Sequence, residues 1–124
     1  MTKTCLILED NIVSNEVLDE YSKMLKLETT ATANAEDAMR ACKENMPDCI
    51  LLDWHMPGVD GLDFLKILRE MPGGDKPTVI MCTCDELIGE KHNLNALGVK
   101  SFIAKPLHFD ELKKALIKEG VIQS

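Results

Sequence analysis

At 124 residues the chain has the size of one domain, with enough length to bury most of the apolar surface it would expose when unfolded. Hydrophobic residues make up 45% and charged residues 28%, a mix that excludes a disordered chain. The net charge of −7, from 21 acidic against 14 basic residues with no basic run, argues against direct nucleic-acid binding.

The opening MTKTCLILED is too short an apolar stretch for a signal peptide or a spanning helix, so a cytoplasmic protein is expected. Its TCLIL portion, Thr4 to Leu8, reads as a first strand. Val13, Val17, Leu18, Tyr21, Met24 and Leu25 then recur at helical spacing, with Asn11 or Asp10 available as the cap. The polar ETTAT, Glu28 to Thr32, reads as a weak second strand at a sheet edge. Asn34 starts a helix that runs to about Asn45 and stops before Pro47.

CILLD, Cys49 to Asp53, is apolar on both alternating faces up to its last residue, the pattern of a central strand in a covered parallel sheet. After a turn through Pro57 and Gly58, Leu62, Leu65 and Leu68 form the inner stripe of a third helix. MPGGDKP is a loop and TVIMC a fourth strand. The segment from about Glu86 to Leu97 carries a thin apolar stripe of Leu87, Leu94 and Leu97, which predicts a loosely packed fourth helix closed by Gly98. SFIAK is the fifth strand, and Leu112, Ala115 and Leu116 mark the inner face of a fifth helix before Gly120. Strands and helices alternating five times predict a doubly wound α/β domain over residues 1–124, with no output domain.

Cys5, Cys42, Cys49, Cys82 and Cys84 are odd in number and mostly sit in apolar runs, so they read as reduced core residues. The polar residues that break the pattern fall at strand ends. Glu9 and Asp10 follow the first strand, Asp53 ends the third, Thr83 the fourth and Lys105 the fifth. In an open α/β sheet, ligands bind outside the carboxyl ends of the strands where strand order reverses. If the first and third strands are neighbours there, three carboxylates meet, and each close pair repels by about 4 kcal/mol at an effective dielectric near 20. A cation is needed, and oxygen-only ligands with room for water and phosphate oxygens suit Mg²⁺.

Taken in order, ILEDN (7–11), LLDWHMPGVDG (51–61), VIMCTC (79–84) and FIAKP (102–106) resemble the receiver domain of the two-component response-regulator family, in its stand-alone, chemotaxis-regulator-like form. The resemblance covers essentially the whole chain. It implies a flavodoxin-like five-stranded parallel sheet of order 2-1-3-4-5 with five helices. It implies that Asp53 accepts a phosphoryl group from a histidine kinase or histidine phosphotransfer protein. Asp10, Asp53 and the backbone carbonyl of His55 would hold Mg²⁺, with Glu9 bound through water. Lys105 would pair with one phosphoryl oxygen and the Thr83 hydroxyl would donate to another. Movement of Thr83 would let Phe102 rotate inward, switching a protein-binding face made of the fourth helix, fifth strand and fifth helix. A cis peptide at Lys105-Pro106 is implied as well.

Taken singly, each of these residues has a plainer reading: Glu9 and Asp10 as acids that open a helix, Thr83 as a strand residue, Lys105 as a solvated surface lysine, Phe102 and Trp54 as core. The joint placement of five polar residues at strand ends is what those readings do not explain. Phosphorelay intermediate and phosphate sink are alternative roles for the same chemistry. A phosphatase of the haloacid dehalogenase type also uses a strand-end aspartate with Mg²⁺, but it needs a general acid two residues later, where this chain has His55. The expectation is a signalling module with intrinsic phosphotransfer and self-dephosphorylation rather than an enzyme. Cys84, His55 and Asp85 at the rim are expected to alter the phosphoryl lifetime.

Overall fold

The structure, a computed structural model, describes residues 2–53, 61–83 and 95–123, the side chains of Gly61, Leu62 and Thr83 excepted. Trp54, His55, Cys84 and Asp85 lie outside the described residues, as do the turn through Pro57 and Gly58 and most of the expected fourth helix.

Five strands pair in parallel, the second outside the first and then the third, fourth and fifth, the order the resemblance implied. They are β1 (Thr4–Leu8), β2 (Glu28–Thr32), β3 (Cys49–Asp53), β4 (Thr78–Thr83) and β5 (Ser101–Ala104). Four helices complete the described residues: α1 (Ile12–Met24), α2 (Ala35–Glu44), α3 (Gly61–Glu70) and α4 (Phe109–Lys118), the last being the helix expected as the fifth.

Alternation along each strand divides the core into two layers. Leu6, Leu8, Ile50, Leu52, Val79 and Met81 face Ala38, Cys42, Phe64, Leu65 and Leu68 of α2 and α3. Cys5, Ile7, Cys49, Leu51, Ile80, Cys82 and Ile103 face Leu18 of α1 and Leu112 and Leu116 of α4. β3 is buried at every position because it lies at the centre and is covered on both sides, whereas β2 stays half-exposed at the edge. Cys5, Cys42, Cys49 and Cys82 are free, buried thiols. Burial pushes Cys42 up to about 11, and Cys82 is raised by burial as well, so neither carries thiolate at neutral pH.

Both expected caps form in α1 and α2. The Asn11 side chain accepts from Ser14 N at 2.9 Å, and that of Asn34 accepts from Asp37 N at 2.8 Å. The inward face of α1 matches the expected one in part: Leu18 is buried, Tyr21 and Leu25 pack against the same layer and Ser22 is buried beside them, but Val13 and Met24 are 69% and 60% exposed. The two apolar residues sit on the far side of the helix, because the polar Asn15 and Ser22 occupy part of the stripe that packs on the sheet.

The amino-terminal pole is held by side-chain ties. Asp48 Oδ2 accepts from Thr4 N at 2.8 Å, joining the starts of β1 and β3. Arg69, at the end of α3, donates to the carbonyls of Leu97, Gly74 and Pro77 at 2.8, 2.9 and 2.9 Å. Gly98 has a φ of 86°, as a residue closing a helical turn requires, and a Cβ there would stand 3.1 Å from Arg69 Nη2.

Candidate functional site

Strand order brings β1 and β3 side by side, with Leu8 opposite Leu52, so the residues that follow these positions meet at the carboxyl edge. Carboxylate oxygens of Glu9, Asp10 and Asp53 lie within 4.8 Å of one another. Glu9 is fully buried and Asp53 is 5% exposed, while Asp10 reaches solvent. The β3–β4 register sets Asp53 opposite Cys82, and the β4–β5 register sets Thr83 opposite Ala104, the residue before Lys105. All five strand-end positions therefore share one edge. The Thr83 hydroxyl itself lies outside the described side chains.

Lys105 reaches back across this edge. Its Nζ pairs with Glu9 Oε1 and stands 3.7 Å from Asp53 Oδ1. The other Glu9 oxygen, Oε2, accepts from Asn11 N at 3.1 Å. The Lys105-Pro106 peptide is cis. Phe102, opposite Met81, is half-buried against the layer under α2 and α3.

Three carboxylates face a single ammonium among the described residues at this edge, and the imbalance shows in the titration of Asp53. Burial, then a shared hydrogen bond with Glu9 and the Glu9 charge, push Asp53 up to about 7, with Lys105 opposing them. Burial would lower Lys105, but Glu9 and then Asp53 outweigh it and hold the ammonium above its ordinary range. An oxygen-only cluster with more negative charge than its lysine balances, and with one member open to solvent, fits a hard divalent cation that keeps several waters.

This has a stability consequence for the metal-free protein. An acid whose folded pKa is raised to about 7 from 3.8 keeps its proton in the native state after the unfolded chain has lost it. Stability therefore falls as pH rises between about 4 and 7, and the full penalty is present above 7. Asp53→Asn removes the ionisation and is expected to stabilise the metal-free protein by ~1–2 kcal/mol at pH 8, after discount for solvent screening, and by nearly nothing at pH 4. Denaturant titrations at the two pH values measure the difference.

Two side chains that sequence reasoning passed over also shape the site. Asn15 Nδ2 donates to the carbonyls of Glu9 and Thr32 at 3.0 and 2.9 Å, and Thr32 Oγ1 donates to Ile7 O at 2.6 Å. The available signal was a polar residue on the sheet-facing side of α1, one turn beyond the cap.

Residues 5–117 match the response regulator receiver domain, so the chain belongs to that family. It is similar to the polar-differentiation response regulator DivK of Brucella ovis, 29% identical over 107 residues that cover 86% of this chain and 87% of that protein. Among solved structures it is similar to the receiver domain of the sensor histidine kinase PA1611 from Pseudomonas aeruginosa PAO1, which has a magnesium ion coordinated in its active-site cleft. That match has 27% identity and a TM-score of 0.84, and covers 95% of this chain and 97% of that one. The chemotaxis protein CheY4 of Vibrio cholerae shares the fold at a TM-score of 0.89 with 21% identity, over 95% of this chain and 98% of that one. The sheet order implied by resemblance is thus the family's, and among the described residues no helix is long and apolar enough to cross a membrane.

Proposed function

We propose that residues 1–124 act as one receiver unit that takes a phosphoryl group onto Asp53 from the phosphohistidine of a histidine kinase or histidine phosphotransfer protein. The observation that carries this reading is the convergence of Glu9, Asp10 and Asp53 with Lys105 at the carboxyl edge of the sheet. An Asp53 carboxylate oxygen attacks phosphorus, the bond from phosphorus to the donor imidazole breaks, and the imidazole keeps the electron pair. Asp10, Asp53 and the His55 carbonyl would hold Mg²⁺, with Glu9 bound through water; a magnesium ion in the cleft of the PA1611 receiver domain supports this choice of metal. The cation supplies positive charge that keeps Asp53 ionised and balances the phosphoryl oxygens.

Lys105, already 3.7 Å from Asp53 Oδ1, exchanges part of its pairing with Glu9 for a phosphoryl oxygen. The Thr83 hydroxyl donates to another oxygen, and Phe102 follows it inward, redistributing two states of a face formed by the segment expected as the fourth helix, about residues 86–97, with β5 and α4. A downstream protein reads that face. With a net charge of −7 and no basic run, the unit acts through a protein partner rather than on nucleic acid. It is a signalling module, and one phosphoryl group per chain followed by slow self-hydrolysis distinguishes it from a phosphatase that turns over esters continuously.

Incubation with Mg²⁺ and acetyl phosphate is expected to add one phosphoryl group to the intact mass, with none added to Asp53→Ala or to protein held in excess chelator. Equal uptake by Asp53→Ala would overturn the assignment of the acceptor.

A further inference from the structure

We propose that Asn15 is a positioning residue for the metal site, setting the peptide plane between Glu9 and Asp10 and so the separation of their carboxylates. The inference rests on the receiver reading and adds to it a residue outside the carboxylate cluster. Glu9 directly follows the last residue of β1, at the edge where the carboxylates meet. Its N–H still continues the sheet, donating to Thr32 O at 3.1 Å. Its carbonyl, the oxygen of the peptide that joins Glu9 to Asp10, is met by Asn15 Nδ2 at 3.0 Å. The same nitrogen donates to Thr32 O at 2.9 Å, so both acceptors are carbonyls and the amide orientation follows from them.

One side chain thus ties three elements together: the end of β1, the end of β2 and the first turns of α1. The Asn15 backbone is anchored in the helix, its N–H donating to Asn11 O at 2.9 Å, and the Asn11 N–H in turn donates to Glu9 Oε2. With the Glu9 N–H tied to Thr32 through the preceding peptide and the Glu9 carbonyl tied to Asn15, the backbone on either side of the Glu9 Cα is held, and Glu9 and Asp10 have little freedom to relax apart when no cation is bound. The like charges stay together, and the ordering a cation would otherwise have to impose is already present. Groups that orient ligands from outside the coordination sphere alter metal affinity by about ten- to a hundredfold when removed.

Calorimetric titration of Mg²⁺ into the metal-free protein tests this. Asn15→Ala is expected to weaken Mg²⁺ binding about tenfold, and Asn15→Gln, which keeps the amide, to recover part of the loss. Thr29→Ala is the control: it removes the 2.6 Å hydrogen bond from Thr29 Oγ1 to Asp19 Oδ1, another tie between β2 and α1, and should bind Mg²⁺ within twofold of the parent. Should Asn15→Ala fail to fold, Asn15→Ser, whose hydroxyl is too short to reach both carbonyls, carries the same expectation. Parental affinity in Asn15→Ala, or an equal loss in Thr29→Ala, would overturn the positioning role while leaving the receiver reading intact. No Mg²⁺ binding by the parent would overturn both.

Discussion

Lys105→Met is expected to destabilise the metal-free protein by ~3 kcal/mol at neutral pH. Glu9 is fully buried, and its Oε1 has the Lys105 ammonium as its charged partner. Removing one member of a buried pair leaves the other charge desolvated and uncompensated, which costs about 3–5 kcal/mol when both members are enclosed. The lower end applies because the lysine side chain keeps 18% of its exposure. Glu9→Gln in the same background should return most of the loss, since the stranded charge is then gone, and a double-mutant cycle in denaturant reads the coupling directly. Saturating Mg²⁺ should also narrow the gap, because the cation replaces the missing positive charge. A cost below 1 kcal/mol for Lys105→Met would mean that the Glu9 carboxylate is not sustained by this pairing.

Phe64→Ala is expected to cost about 4 kcal/mol, with a fall in melting temperature of ~15 °C for a domain of this size. Phe64 is fully buried in the layer between the sheet and α2 and α3, among residues that include Leu52 and Met81. Truncation removes its transfer free energy and leaves a cavity that a close-packed layer between two rigid surfaces fills only in part. Phe64→Leu should recover more than half of the loss. Thermal melts of both variants in chelator separate this packing effect from the metal site.

The strands were legible because a parallel sheet covered on both sides needs unbroken apolar runs, and CILLD and TVIMC are such runs. ETTAT was legible as an edge for the opposite reason: its polar residues exclude it from the centre. The carboxylate cluster was legible because Glu9, Asp10 and Asp53 each follow an apolar run at its carboxyl end, so topology alone brings them together. Helix faces were less so. In α3 the leucine period pointed to Leu65 and Leu68, which are buried, but passed over Phe64, the largest side chain in that layer. In α1 the apolar period pointed to Val13 and Met24, which face solvent, because polar residues take part of the inward stripe: Asn15 to satisfy carbonyls at two strand ends, and Ser22 beneath the helix. Hydrophobic periodicity reads burial, and it does not register a side chain held inward by hydrogen bonds. The same blind spot hid the Glu9–Lys105 pairing, since a sequence places a lysine at a strand end without saying which carboxylate it chooses.

The central claim, that Asp53 is the residue that carries the phosphoryl group, is tested most directly by reducing the phosphorylated protein with borohydride and sequencing the peptides by mass spectrometry. An aspartyl phosphate is a mixed anhydride, which borohydride converts to homoserine, so the modified residue keeps a permanent mark after the phosphate is gone. Homoserine at position 53, dependent on Mg²⁺ and phosphodonor, is the expected result. Homoserine at position 10, or phosphate that survives reduction on a serine or threonine, would contradict it.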